Sequence, residues 1–247
     1  MINKIKKIVS ELRKNIKNII DQQNISILLS QELEWAHIYH DSIRGKKGIE
    51  TLPLNIGRWA GNYSFFYVLN RILSDYKPKN VLDLGLGESS KFISTYLDHY
   101  LHESKHVIVE QDENWVTSFS ERFQLSERSK IIHCPLVDVE IKGNTSHSYS
   151  DFNNKILEKF DLYIVDGPFG SDRYSRYDIV SLVEKFNSND EFIILMDDTH
   201  RQGEIDTKND IISILKSSKI NYYVNDYVGN KTLTIICSNH YKYSTSF

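Results

Sequence analysis

The stretch Val81-Leu82-Asp83-Leu84-Gly85-Leu86-Gly87-Glu88-Ser89-Ser90 begins as an apolar strand and then breaks into two glycines. Gly85 and Gly87 let the backbone turn sharply and come close to a ligand, and Ser89 and Ser90 are placed to cap a following helix. Strand, glycine turn and helix in this order open a βαβ unit. Where a dinucleotide-binding loop carries its third glycine this chain has Ser90, and the acids Asp83 and Glu88 flank the turn. A diphosphate needs a helix start free of negative charge. The loop therefore suits a ligand with a cationic part better than one with a diphosphate.

Downstream, apolar strands alternate with helix-length amphipathic segments. Strands are expected at 80–84, 106–110, 130–133, 161–166, 191–197, 219–225 and 232–238, with helices around 89–101, 113–124, 151–160, 172–187 and 206–217. Such alternation predicts an α/β fold, a doubly wound and mostly parallel seven-stranded sheet with helices on both faces. Only Val228-Gly229-Asn230-Lys231 joins the last two strands, so they should pair as an antiparallel hairpin. The polar run from Gly143 to Ser150 reads as a loop.

Upstream, residues 63–74 read as a helix ended by Lys77-Pro78. Residues 31–62, with Trp35, His37, His40, Arg44, Lys46, Lys47, Arg58 and Trp59, read as helix followed by irregular loop that can fold over a site. Ile2, Ile5, Val9, Leu12, Ile16, Ile19 and Ile20 recur at steps of three and four, one apolar helical stripe whose other face is basic. The expected organisation is a helical N-terminal extension or cap over 1–62 and a catalytic domain over 63–247. The basic helix of residues 1–20 leaves three partners open: its own domain, a second subunit in a homodimer, or peripheral contact with a membrane surface.

With 247 residues, 40% of them hydrophobic, the chain can bury a full core. A net charge of −3 gives no electrostatic reason to expect nucleic acid as partner. Cys134 and Cys237 stand in neither a CxxC nor a Cys/His cluster and read as buried, reduced thiols. No apolar run approaches the ~20 residues that span a bilayer and no signal-peptide core opens the chain, so a cytoplasmic location is expected.

Asp83-Leu84-Gly85-Leu86-Gly87, with the strand order and closing hairpin, resembles the first motif and fold of the class I S-adenosylmethionine-dependent methyltransferases. The resemblance implies S-adenosyl-L-methionine as cofactor, its ammonium and sulfonium held near Asp83, Gly85, Gly87 and Ser89. Glu110, closing His106-Val107-Ile108-Val109-Glu110, can accept hydrogen bonds from both ribose hydroxyls. Nicotinamide enzymes use the same device, which leaves an oxidoreductase as the enzymatic alternative. By the resemblance Leu136 is an apolar wall and a nearby backbone amide or Asp138 a ring-edge partner for adenine, while His133 reads as structural.

Asp166 ends one strand and Asp197-Asp198 the next. Two unit charges ~4 Å apart repel by about 4 kcal/mol at an effective dielectric near 20, so converging carboxylates need an offset. One offset is a divalent cation, Mg or Mn, held by Asp166, Asp197 and Asp198. Another is pairing with Arg173, Arg176 and Arg201; a third reading is mainly structural. Catechol-type O-methyltransferases carry one Asp after the fourth strand and Asp-Asn after the fifth, where this chain has Asp197-Asp198. The wider pattern Asp166-Gly167-Pro168…Arg173…Arg176…Asp197-Asp198…Arg201 is similar to that of sugar-directed O-methyltransferases related to the glucuronoxylan methyltransferases. The resemblance implies a hydroxyl acceptor on a small molecule or saccharide.

In that reading Asp166, Asp197 and His200 are the catalytic candidates, with Asp166 or His200 as base. Arg173, Arg176 and Arg201, with Tyr174 and Tyr177, can line the acceptor site. No Asn/Asp-Pro-Pro-Tyr/Phe follows the fourth strand, which disfavours nucleic-acid amino groups as acceptors. A non-catalytic protein of the same fold, recruiting a partner or membrane through the basic helix, is the alternative outside enzymology. Either enzymatic reading requires the crevice beside Gly85 and Glu110 to be free for a ligand.

Overall fold

The computed structural model describes residues 2–57 and 59–247; Arg58 and the side chains of Ile2, Asn3 and Ile5 lie outside what is described. The chain opens with one 42-residue helix, α1 (Ile2–Ile43), followed by α2 (Tyr63–Asp75). Alternation then begins: β1 (Asn80–Leu84), α3 (Glu88–His99), β2 (Lys105–Glu110), α4 (Glu113–Arg122) and β3 (Ser129–His133). A small hairpin follows, β4 (Leu136–Ile141) and β5 (Asn144–Tyr149), then α5 (Phe152–Lys155), β6 (Leu162–Val165), α6 (Asp178–Val183), β7 (Ile193–Met196) and α7 (Gln202–Ser217). The closing hairpin is β8 (Tyr222–Val228) and β9 (Thr232–Ser238).

The seven-stranded sheet has the order β3-β2-β1-β6-β7-β9-β8, parallel through β7, with β9 antiparallel to both neighbours. Short strands with both faces apolar allow this. Leu162 and Ile164 with Ile193 and Leu195 face a core built with α2, α3 and the end of α1, while Tyr163 and Val165 with Ile194 and Met196 face α6 and α7. Chain order reverses between β1 and β6, which places the switch point of the sheet beside Gly85.

Three local expectations are corrected and one is extended. Residues 143–150 are not a loop: β5 pairs with β4, and Lys142 and Gly143, at φ 52° and 79°, form a two-residue turn of the kind that matches strand twist. The helix expected over 172–187 is reduced to α6, because Tyr174 and Arg176 adopt φ of 49° and 56°, which no right-handed helix contains. The helix expected over 151–160 is a single turn. At the N-terminus, the stripe of residues 2–20 and the helix after residue 31 are one continuous rod.

The end of that rod is built into the body. Tyr39, Ile43 and Ile49 are buried in the core, the Trp35 indole donates to the Val228 carbonyl at 2.9 Å, and Glu32 accepts from the Tyr63 amide at 2.8 Å and the Asn62 side chain at 2.8 Å. Among the described residues no helix is long and apolar enough to cross a membrane.

Candidate functional site

The glycine loop leaves β1 at Gly85, whose φ of 109° is open to glycine and strained for other residues. A Cβ there would lie 3.3 Å from the Gly167 amide, and one on Gly167 would lie 3.0 Å from the Gly85 Cα. The backbones leaving β1 and β6 thus touch at the switch point, which only two facing glycines permit. At Gly87 a Cβ would meet nothing within 4 Å, so that part of the loop looks onto open space.

The two acids beside the loop are engaged internally. Asp83 is fully buried and accepts from Ser90 Oγ at 2.6 Å and Ser89 Oγ at 3.1 Å, with His106 Nε2 at 3.6 Å. It fixes the start of α3 from beneath and does not face the loop's outer side. The Glu110 carboxylate accepts from the amides of Leu86 at 2.9 Å, Gln111 at 2.7 Å and Asp112 at 2.9 Å. A carboxylate offers about four lone-pair sites, so roughly one remains for a ligand. Trp115 lies over the same loop and donates to the Leu86 carbonyl at 2.7 Å.

Tyr149, the last residue of β5, reaches into the switch point. It is 3% exposed, its hydroxyl lies 3.5 Å from the Val109 carbonyl at the end of β2, and a Cβ on Gly167 would come within 2.5 Å of that oxygen. Burial, then the carboxylates of Glu110, Asp178 and Asp83, push its phenol well above the ordinary range, so it stays neutral. The tyrosine is held from behind: Asp178 accepts from its amide at 3.1 Å and from Ser148 Oγ at 2.5 Å. The ring thus forms part of the wall at the switch point.

Past the ends of β6 and β7, oxygens of Asp166, Asp197 and Asp198 all lie within 4.8 Å of one another. Arg176, carried inward by its left-handed backbone, is 2.9 Å from Asp198 Oδ2, 3.3 Å from Asp166 Oδ1 and 3.7 Å from Glu204 Oε1. Lys231, from the β8–β9 turn, adds an ammonium 3.5 Å from Asp198 Oδ1 and 3.7 Å from Asp197 Oδ2, and Arg201 reaches Asp198 Oδ2 at 3.1 Å. Asp198 is itself left-handed, at φ 61°. Three cations of the chain's own thus stand against four carboxylates.

The electrostatics are uneven. Burial raises Asp166 to about 8 although Arg176 pulls it down, with Asp197 and Asp198 pushing the same way as burial. Burial and then Asp198 also raise Asp197, both of whose oxygens lack a hydrogen-bond partner. Against the cost of its own burial, Asp198 is lowered by Arg176, Lys231 and Arg201. Among the three, Asp166 is the one whose side chain reaches solvent, at 21% exposure.

The other candidates are more scattered. Arg173 pairs with Asp206 on α7, and the Tyr177 hydroxyl donates to Asp210 at 2.8 Å. Tyr174 packs edge-on against Tyr177. His200 is exposed, and its Nδ1 accepts from the Thr232 amide at 3.4 Å. Leu136 and Asp138 lie on β4; Leu136 packs at the margin of the core and Asp138 is exposed and bonded to His147 Nδ1 at 2.9 Å. His133 Nε2 lies 3.1 Å from the Gln111 carbonyl. Sequence reasoning missed Tyr149, Lys231, Glu204 and Gly167. For Glu204 a signal existed, since Asp198…Arg201…Glu204 recur at three-residue steps entering a helix; Tyr149 sits in a run with no apolar pattern to mark it.

No family model and no curated protein matches the chain. Solved structures do. An O-methyltransferase from Bacillus cereus in complex with SAH is 13% identical, with 90% of this chain and 97% of that chain covered and a TM-score of 0.50. TomG, an O-methyltransferase from Streptomyces achromogenes involved in tomaymycin synthesis, in complex with SAM, is 13% identical over 89% of this chain and 95% of its own, with a TM-score of 0.51. At such identity the likeness is one of fold, and this chain has the class I methyltransferase fold.

Proposed function

We propose that this class I methyltransferase fold serves an S-adenosylmethionine-dependent transfer of a methyl group to a hydroxyl of a small molecule or saccharide. The observation that carries the reading is the meeting of the glycine loop and Glu110 at the switch point, with Asp166 at the end of the next strand. The open space over Gly87 and the free acceptor site of Glu110 fit the cofactor once Tyr149 has swung aside. Gly85, Gly87 and Glu110 would hold it, and when bound it supplies an electrophilic methyl group.

The residues of the chain do the rest. A sugar or alcohol hydroxyl is a poor nucleophile at neutral pH and needs a base near its operating pH. Asp166, at about 8 and partly open to solvent, is that base. Arg176 holds Asp166 and Asp198 in place, and Arg201, half exposed, faces the acceptor. Asp166, Asp197 and Asp198 could gather a divalent cation, but the proposed transfer routes no step through one, because Arg176 and Lys231 already stand among the carboxylates and offset their charge. Residues 63–247 form the catalytic unit of this proposal and 1–62 its helical extension.

The test is transfer of a labelled methyl group from S-adenosylmethionine to a panel of alcohols, phenols and saccharides. Turnover should rise with pH through about 8 as Asp166 loses its proton, and Asp166→Asn should abolish it. One observation favours a second reading, a non-catalytic binding protein: Glu110 is mostly saturated by backbone amides, and the buried Tyr149 packs against the switch point. Absence of turnover with every acceptor, in the native chain and in Tyr149→Ala alike, would decide for it.

A further inference from the structure

Over residues 6–27 α1 stands clear of the body. Every side chain from Lys6 to Ile27 is exposed, and the first bonds to the body are those of Glu32. The 22 residues 6–27, about 33 Å of helix at 1.5 Å per residue, therefore project from the body. Along this rod Ile8, Val9, Leu12, Ile16, Ile19, Ile20, Ile25, Ile27, Leu29 and Leu33 are each 41–61% exposed. A lone helix in water is held by its tertiary packing more than by propensity, and β-branched isoleucine is a mediocre helix former. So large an apolar surface on an unsupported helix calls for a partner.

We infer that the occupant of this face is α1 of a second copy of the chain, packed antiparallel. Val9, Leu12, Ile16 and Ile19 follow the alternating steps of three and four that make a coiled-coil seam. Charge sets the direction. Residues 4–17 carry Lys4, Lys6, Lys7, Arg13, Lys14 and Lys17 against the single acid Glu11, whereas residues 18–34 carry no Lys or Arg and hold the exposed acids Asp21 and Glu34, besides Glu32, which is engaged with the body. A parallel pair stacks the two basic segments on each other. An antiparallel pair lays each basic segment over the acidic segment of its partner, the arrangement that like-charge repulsion leaves favourable. Residues 2–34 include no Trp, Tyr or Phe, the rings that seat helices at a membrane interface, which turns the same face away from a lipid surface.

The experiment uses the full chain. Light scattering after size exclusion should give twice the chain mass, and Leu12→Glu combined with Ile16→Glu should give the monomer, with the unfolding transition of the body unchanged because neither residue touches it. Direction is read by disulfides. A Lys6→Cys chain mixed with a Glu34→Cys chain should form the mixed disulfide faster than either forms its own; native Cys134 and Cys237 are buried and do not compete. A chain monomeric at every attainable concentration, a dimer that survives the double substitution, or a dominant Lys6→Cys self-disulfide each overturns the proposal. So does co-sedimentation of a monomeric chain with phosphatidylserine vesicles, which would assign the face to a membrane.

Discussion

Arg176 is the residue on which the charged centre turns. It is permanently ionised, buried, and shared among Asp166, Asp198 and Glu204. Removing one partner of a buried ion pair leaves an uncompensated charge at a cost of about 3–5 kcal/mol. Arg176→Ala should lose stability of that order in urea unfolding, whereas Arg173→Ala, at a half-exposed side chain whose partner Asp206 keeps Gln202 as a donor, should lose much less. Asp166 makes a second prediction. Its folded value of about 8 stands above the ordinary 3.8, so the native state holds a proton that the unfolded chain releases. The stability this contributes is full below 3.8 and lost as pH rises to about 8. Over pH 6 to 8 thermal stability should therefore fall with rising pH, by at most about 1.4 kcal/mol per unit from this group, and Asp166→Asn should flatten the curve. The sequence made these carboxylates and arginines legible as a group, because all lie at strand ends or just beyond. Lys231 was not legible there, since a hairpin turn far along the chain acquires its place only when β9 inserts beside β7.

Elements were legible where one period runs long enough. The parallel strands and α3, α4 and α7 fall near their expected places because burial of both sheet faces leaves a clear apolar run. The β4–β5 hairpin hides in polar sequence because its outer face is in water and its register comes from the turn at Lys142-Gly143. The missing part of the helix after β6 has a different cause: ion pairing draws Arg176 inward, and Tyr174 and Arg176 take left-handed backbone to allow it. Where β1 and β6 turn against each other, packing makes a sharp prediction. Gly167→Ala drives a methyl group into the Tyr149 hydroxyl and the Gly85 backbone, an overpacking that costs about 1–3 kcal/mol. Adding Tyr149→Phe should restore part of that loss, since one of the three crowding atoms is the phenolic oxygen. A double-mutant cycle in chemical denaturation measures the coupling.

At the scale of the whole molecule, the sheet order places a glycine turn, an acid and a carboxylate cluster along one edge. The sequence showed that edge through its motifs. It did not show that the protein's own Tyr149 packs against the switch point, because nothing local marks a hairpin side chain destined for the crossover. On the proposed function, cofactor binding would compete with that contact, and apparent affinity would fall by the fraction of molecules in which the contact is made. The charge balance at the same edge also predicts that chelator or added Mn²⁺ leaves the melting temperature unchanged, because Arg176 and Lys231 already offset the carboxylates. The most direct measurement is a calorimetric titration of the native chain and of Tyr149→Ala with S-adenosylhomocysteine, and of both with NADH. S-adenosylhomocysteine should bind the native chain weakly and Tyr149→Ala several-fold more tightly, with no heat from NADH. If neither protein binds S-adenosylhomocysteine, or if NADH binds better, the crossover was not built for a sulfonium cofactor.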